Sequence, residues 1–190
     1  MMLDLSYSAL LEFGETKASL LGSSTGVITG CGSAGPSMTV DTTCSSSLVA
    51  LDVACGKLLD GACDMAVVGG MNLILDSAVY ASFCASRMLS PDGLCKSFDI
   101  SADGFGRGEG CGVLVLKRLR DTSPESTLMG VIRGSAVNQD GRSASLTAPN
   151  GPSQVAVIEH ALRNADVCPE EVTFVAVSYT HLTLPTICSV

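Results

Sequence analysis

The residue best suited to chemistry in this chain is a cysteine that closes a strand-like run. In GPSMTVDTTCSSSLVAL, alternating and β-branched residues lead into Cys44, and strong helix formers follow it. A cysteine at the mouth of a helix sits beside unpaired N–H groups and a partial positive charge, and both favour a thiolate. Ser45, Ser46 and Ser47 are small enough to let a substrate approach the backbone. Their N–H groups, with that of Cys44, can stabilise an oxyanion. The constellation is a nucleophile elbow with sulfur in place of oxygen, and acyl transfer is the reaction class it suits. A thioester on Cys44 stays activated toward a carbon nucleophile, whereas a serine ester would be a deeper trap. Composition alone would make Cys44 one more packing cysteine. The strand before it and the serines and apolar helix after it set it apart.

The surrounding pattern predicts the elements that hold this residue. Residues 37–42 read as a strand, and residues 45–59 as a helix that Gly61 can stop. Apolar residues lie nearly all round that helix (Leu48, Val49, Leu51, Val53, Ala54, Leu58 and Leu59), which predicts burial on both sides. The continuous apolar run at 64–71 reads as a buried parallel strand. A helix over 77–86, a loop over 87–110 with a Pro91-Asp92-Gly93 turn, and a strand over 111–116 follow. Residues 121–126 read as a linker. Beyond it come a strand over 128–137, a turn at 138–141, a helix over 153–164 and a strand over 172–177. This alternation favours a layered α/β fold. The first 35 residues give weak signals, with a short helix expected at 8–13, and the tail SYTHLTLPTICSV has no clear period.

Composition narrows the function classes. At 190 residues, 46% of them hydrophobic, and a mean hydropathy of +0.40, the chain is one domain or part of a larger one, and too apolar to be disordered. Eleven Lys and Arg against 19 Asp and Glu give a net charge of -8 with no basic block, which argues against nucleic-acid binding. The most apolar stretch, 65–75, is interrupted by Gly69, Gly70 and Asn72 and falls short of a membrane span. With 4% aromatic residues, no Trp and 20 Gly, the core must be built from small aliphatic side chains in tight layers. Nine cysteines without a C-x-x-C pair, and two His, give no metal site. The cysteines read as small buried hydrophobes in a reducing compartment. The opening residues lack the basic start and apolar core of a leader. The expected location is the cytoplasm, with a plastid as the alternative.

Several strings resemble one family. VDTTCSSSLVAL resembles the active-site signature of the β-ketoacyl synthase (ketosynthase) domains of type I polyketide synthases, where Ala usually stands at the place of Thr43. DMAVVGGMNLIL, SRMLSPDGLCKSFDISADGFGRGEGCGVLVLKRL and VIRGSAVNQDGRSASLTAPNGPSQ follow in the family's order. The resemblance runs from about residue 35 to 176 and implies a thiolase-like layered α/β/α/β/α fold. Of this fold the chain would hold part of the N-terminal half and the start of the C-terminal half. The domain reading is a poorly matching segment over 1–35 and an N-terminal half over 36–122. The start of the C-terminal half then spans 123–177, and a non-native tail 178–190. The implied reaction is decarboxylative Claisen condensation in polyketide biosynthesis. Cys44 takes an acyl chain from an acyl carrier protein, with its own backbone N–H as an oxyanion donor, and a malonyl-type extender supplies the carbanion. No bound cofactor or metal is implied, because phosphopantetheine on the carrier brings the substrates. The implied partners are the acyl carrier protein and, for the complete domain, a second copy. A fatty acid synthase condensing domain, and a catalytically inert fragment or interaction-only homologue, are the alternatives. A thiolase-type or acyl-hydrolase reading ranks below these.

The chain departs from the family where proton handling is expected. The first family His, in a His-Gly-Thr-Gly-Thr motif, falls by position on Ser178, and His181 lacks the glycines of that motif. The family's Lys and second His would lie past Val190. Other candidates read as structural. His160 belongs to an apolar-periodic helix, Lys117 to a solvated basic edge with Arg118 and Arg120, and Asp99 and Asp140 to turns. DGFGRGEGCG precedes a strand, so it reads as close backbone packing that lines the acyl entrance and not as a phosphate loop.

Overall fold

A computed structural model describes residues 26–31, 35–75, 77–145, 148–177 and 180–183, of which 26–31 and 180–183 are described by backbone alone. These residues form two compact units, one from 26–72 with 110–166 and the other from 73–109 with 167–183.

The first unit is built on four strands: β1 (Gly26–Cys31), β2 (Ser37–Val40), β3 (Met65–Asn72) and β4 (Gly110–Lys117). Their order is β2-β1-β3-β4. Every neighbouring pair is antiparallel, with Val67 opposite Thr29 on one side and Val115 on the other. The apolar run expected at 64–71 is therefore a buried strand, but its direction differs from the parallel pairing expected. β1 lies between β2 and β3, so the two strands flanking the helix run parallel without being hydrogen-bonded to each other.

Helix α1 (Ser46–Leu59) packs on this sheet through one stripe. Ser46, Ala50, Ala54 and Leu58 are its buried residues, and their i, i+4 spacing puts them in a single row. Ala50, Ala54 and Leu58 join Cys63, Ala66 and Val68 in the core, with Met38, Val40, Leu51, Val53 and Leu116 packed around them. The two alanines let the helix lie close to the sheet, and burying a residue the size of Leu58 contributes roughly 1.5–3 kcal/mol. The opposite face differs from the two-sided burial expected: Leu48 is 70% and Leu59 78% exposed. The helix stops where the sequence indicated. Gly61 takes φ +73. Its N–H bonds the Leu58 carbonyl at 3.2 Å, and Ala62 N–H bonds that of Lys57 at 3.0 Å. This is the paired closure that a left-handed glycine makes possible.

Arg118, just past β4, fastens that end of the helix. Its Nη1 donates to the carbonyls of Leu58 and Cys63, each at 2.8 Å, and Nη2 to Asp64 at 2.7 Å. Nε pairs with Asp121. The reading of Arg118 as part of a solvated basic edge is thus corrected, because its fork is used up on main-chain acceptors and two carboxylates.

Residues 128–137, expected as a strand, form none among the described residues. Met129 is 97% exposed, and Leu128, Val131 and Ile132 are also exposed. Side chains anchor the segment instead: Ser135 Oγ donates to Asp52 of α1 at 2.7 Å, and Asn164 donates to the Ser135 carbonyl at 2.8 Å. A helix over Gly151–Ala165 follows, capped by Asn150, whose side chain accepts from Ser153 N–H.

In the second unit, helix α2 (Ser77–Ala85) matches the expectation for 77–86; the Gly151–Ala165 helix of the first unit is α3. The 87–110 loop is organised around Ser90, which is buried. The Ser90 hydroxyl is shared between Asp92 (2.5 Å) and Asp103 (2.8 Å). Lys96 pairs with both carboxylates, at 2.9 and 3.0 Å. Gly104, at φ +144, and Gly106 press against backbone where any Cβ would collide, so close packing is what these two glycines of the Gly-rich string provide. Phe83 meets Phe105 edge-on at 6.1 Å, and the Arg107 guanidinium lies 5.0 Å from the Phe83 ring centre. Strands β5 (Phe174–Val177) and β6 (Thr180–Thr183) pair antiparallel, with Phe174 opposite Thr183. The tail read as aperiodic thus contains a short strand. The helix expected at 8–13 lies outside the described residues.

Candidate active site

β2 delivers the chain to Asp41, and a single 3-10 turn, Thr43–Ser45, carries it into α1. Between them the backbone reverses at Thr43, which takes φ +57. A β-branched residue in the left-handed region is strained, by an amount of order 1–3 kcal/mol, so neighbouring bonds must hold it there. The Asp41 carboxylate accepts from Thr43 N–H at 3.1 Å. Ser46 Oγ accepts from Thr42 N–H at 2.9 Å and donates to the Thr43 carbonyl at 2.6 Å. Thr43 and Ser45 hydroxyls both donate to the Thr42 carbonyl, at 2.7 and 3.0 Å. The result is a tight, densely bonded elbow with Cys44 one residue past the strained position.

Cys44 is exposed, so its sulfur is open to solvent. The sulfur leaves the elbow just before α1 begins at Ser46, so the expected junction of strand, cysteine and helix is present. No side chain caps α1. The reason is local: Ser45, the residue before the helix, already has helical angles (φ -88, ψ -1), whereas a capping side chain needs an extended backbone at that place. Asn150 at the start of α3 has such a backbone (φ -108, ψ 102) and caps. Gly70 of β3 lies under the first turn of α1, where a Cβ would come within 2.9 Å of Ser47 Cβ. A glycine at 70 therefore lets the helix start sit against the sheet.

The other cysteines differ from the reading as buried packing residues. Among the described ones, Cys63 alone is buried; Cys55 and Cys111 are half-buried, and Cys84, Cys95 and Cys168 are exposed. Burial pushes the Cys63 thiol up, and burial together with the nearby Asp52 charge pushes Cys55 up. Both are held as neutral thiols.

His160 is exposed on α3. Ser178 lies outside the described residues, and of His181 the backbone alone is described, on β6. Asp99 accepts from Ser101 N–H and Oγ, as a turn residue does. Asp140 reaches further than expected, to Asn150 N–H at 3.1 Å and Gln154 at 2.7 Å. Among the described residues no helix is long and apolar enough to cross a membrane. Sequence reasoning passed over Asp41, and it read Ser46 for its small size and its N–H but not for the hydroxyl that bonds the elbow. For Ser46 a signal was available, since it opens the same i, i+4 row as Ala50 and Ala54.

Comparison with known proteins places this geometry. The description "Beta-ketoacyl synthase, N-terminal domain" matches residues 31–122, which include the elbow and α1, and "Beta-ketoacyl synthase, C-terminal domain" matches residues 129–180. The chain belongs to the β-ketoacyl synthase family. Its relatives are type I polyketide synthases. A phenolphthiocerol/phthiocerol polyketide synthase of Mycobacterium tuberculosis is 52% identical over 142 residues, 74% of this chain and 8% of that protein. A spectinabilin polyketide synthase protein of Streptomyces orinoci is 51% identical over 151 residues, 79% of this chain and 4% of that one. Among solved structures, the ketosynthase from module 6 of the bacillaene synthase of Bacillus subtilis aligns with a TM-score of 0.70 at 44% identity, covering 73% of this chain and 25% of that one. An oxazolomycin ketosynthase domain of Streptomyces albus aligns with a TM-score of 0.71 at 37% identity and the same coverage. The ketosynthase fold, thiolase-like as expected, is thus shared over most of the chain. The chain nevertheless spans about a quarter of each solved ketosynthase. In a type I phenolphthiocerol synthesis polyketide synthase of Mycobacterium marinum, the alignment takes in 97% of this chain and runs over 219 residues. That relative carries segments with no counterpart here.

Proposed function

We propose that this ketosynthase chain carries the acyl-accepting part of a polyketide-forming condensing enzyme, with Cys44 as the nucleophile. The observation that carries the reading is an exposed cysteine on a strained elbow at an uncapped helix start, inside the stretch that matches the family's N-terminal domain. The Cys44 sulfur attacks the thioester carbonyl of an acyl chain held on the phosphopantetheine of an acyl carrier protein. A carbon–sulfur bond forms to Cys44 while the carbon–sulfur bond to the carrier breaks, and the proton from Cys44 leaves on the released carrier thiol. The Cys44 N–H and the positive end of the α1 dipole are the groups proposed to meet the negative charge on the carbonyl oxygen as it develops. In the complete domain a decarboxylated malonyl-type extender would then displace Cys44 and give the β-ketoacyl product.

Residues 36–122 are proposed as the N-terminal half with the elbow, and 123–177 as the start of the C-terminal half. The first family histidine falls by position on Ser178, so for these 190 residues acyl transfer is proposed without condensation. The names of the relatives favour polyketide over fatty acid synthesis as the pathway.

The test is self-acylation. Incubated with an acyl-pantetheine thioester, the purified 190-residue chain is expected to gain one acyl group, mapped by peptide mass to Cys44, and to lose that gain in Cys44→Ala. Carbon–carbon bond formation with malonyl-pantetheine is expected to be absent. Acylation confined to other cysteines, such as Cys84, Cys95 or Cys168, which are exposed among the described residues, would overturn the assignment.

A further inference from the structure

Ser46 is one of the two buried polar residues among those described, 5% exposed. A buried hydroxyl must find partners, and the partners it finds are unusual. Its oxygen accepts from the N–H of Thr42 and its proton goes to the carbonyl of Thr43. These two backbone groups bracket the residue held at φ +57. One hydroxyl therefore closes both sides of the strained position, from a place on the buried row of α1 that the helix itself fixes. The Thr43 carbonyl also accepts from the Ser46 N–H, but no other buried side chain bonds the elbow: the rest of its side-chain bonds come from exposed residues, Asp41, Thr42, Thr43 and Ser45, and water can replace them.

We infer that Ser46 is a positioning residue for acyl transfer: its hydroxyl latches Thr43 in the left-handed conformation and so fixes the direction in which Cys44 meets the incoming thioester. The inference rests on Cys44 being the acyl acceptor. Without the latch Thr43 relaxes toward the ordinary right-handed or extended regions, and the Cys44 sulfur leaves the elbow in another direction. Displacements of this kind slow an oriented attack by about 10- to 100-fold.

The latch predicts a specific rescue. Glycine takes the left-handed conformation without penalty, so Thr43→Gly removes the strain that Ser46 has to hold. Self-acylation at Cys44 is measured in the full chain for Ser46→Ala and for Ser46→Ala with Thr43→Gly. Iodoacetamide labelling of exposed Cys84, in the other compact unit, serves as an internal reference. The expected result is slow acylation in Ser46→Ala with Cys84 labelling unchanged, and recovery to near the unmodified rate in the double variant. Acylation of Ser46→Ala at the unmodified rate overturns the latch. So does a double variant as slow as the single one, which would make Ser46 a packing residue only. If Ser46→Ala does not fold, the double variant decides: folding with acylation supports the latch, and failure to fold overturns it. An unmodified chain that is never acylated at Cys44 sinks the functional reading itself, a result distinct from any difference between the variants.

Discussion

Two serine hydroxyls are buried in the described residues, and they are held in opposite ways. Ser46 lies between a backbone N–H and a backbone carbonyl at the elbow. Ser90 lies between the carboxylates of Asp92 and Asp103, which share Lys96 as their cation. The first arrangement is a lock of shape: it adds no charge beside the cysteine, and neither partner takes up or loses a proton. The second is a lock of charge, whose strength depends on the carboxylates being ionised and on the cation being present. Near a sulfur that must accept and release acyl chains, further carboxylates would oppose the thiolate. In a long loop with little core of its own, charge-assisted bonds are the stronger fastening.

The sharpest way to separate the two locks is to remove the cation. Lys96→Met leaves Asp92 and Asp103 facing each other across one hydroxyl, with like charges and no counterion. The 87–106 loop is expected to open and become the first segment cut in limited proteolysis, with loss of amide protection at Gly93, whose N–H bonds the Ser90 carbonyl. Amide protection at Thr42, which depends on Ser46, should not change. Opening at both places would mean that the locks are coupled and the contrast is false.

Acid should reproduce a milder form of the same split. Hydrogen bonding from Ser90, and then from Lys96, holds Asp92 down to about 2 and holds Asp103 below the usual carboxylate range. Groups depressed in the folded state contribute their full stabilisation above the unfolded carboxylate pKa of about 3.9 and lose it as pH falls through the folded value. Protection of Gly93, corrected for the intrinsic exchange rate, is therefore expected to hold at pH 5 and to decline between about pH 4 and 2. Thr42 protection should stay flat across that window. Asp92→Asn should weaken the decline at Gly93, because one of the two titrating carboxylates is gone. A decline of equal size in that variant would assign the acid sensitivity to other groups.

The charge lock was half visible in the sequence and the shape lock was not, for a physical reason. Pro91-Asp92-Gly93 announces a turn, and acids with a lysine nearby announce an ion network, because turn geometry and charge are properties of residue types. Ser46 is one of three consecutive serines, and its partners are main-chain atoms three and four residues back, which every residue carries. Its position in the row with Ala50, Ala54 and Leu58 was the readable clue. The same distinction explains the other differences. The helix at Cys44 and the buried strand after it were legible from composition and period. Strand direction was not, because an apolar run reports burial and says nothing of which way its neighbours point. The alternation at 128–137 describes two faces of a strand, yet a ladder also needs a partner, and none is supplied among the described residues. Arg118 looked solvated among like charges, while its real partners, the Leu58 and Cys63 carbonyls and Asp64, lie more than 50 residues away in sequence.

The smallest expected effect tests whether a backbone-bonded polar side chain matters to chemistry merely by being one. Asn150 resembles Ser46 in kind. It caps α3 by accepting from Ser153 N–H at 3.3 Å and donates to the carbonyls of Asp140 at 2.8 Å and Arg142 at 3.3 Å, so all three partners are main-chain groups. It differs in what it holds, since its own backbone is extended and unstrained and no nucleophile follows it. Asn150→Ala should therefore cost about 1 kcal/mol of stability, the usual value of a lost N-cap, read from the denaturation midpoint. Cys44 should be acylated at the unmodified rate. A slowing of Cys44 comparable to that of Ser46→Ala would mean that general loosening of the first unit controls the sulfur. The strained Thr43 would then be a bystander, and the elbow's reactivity a property of the whole unit.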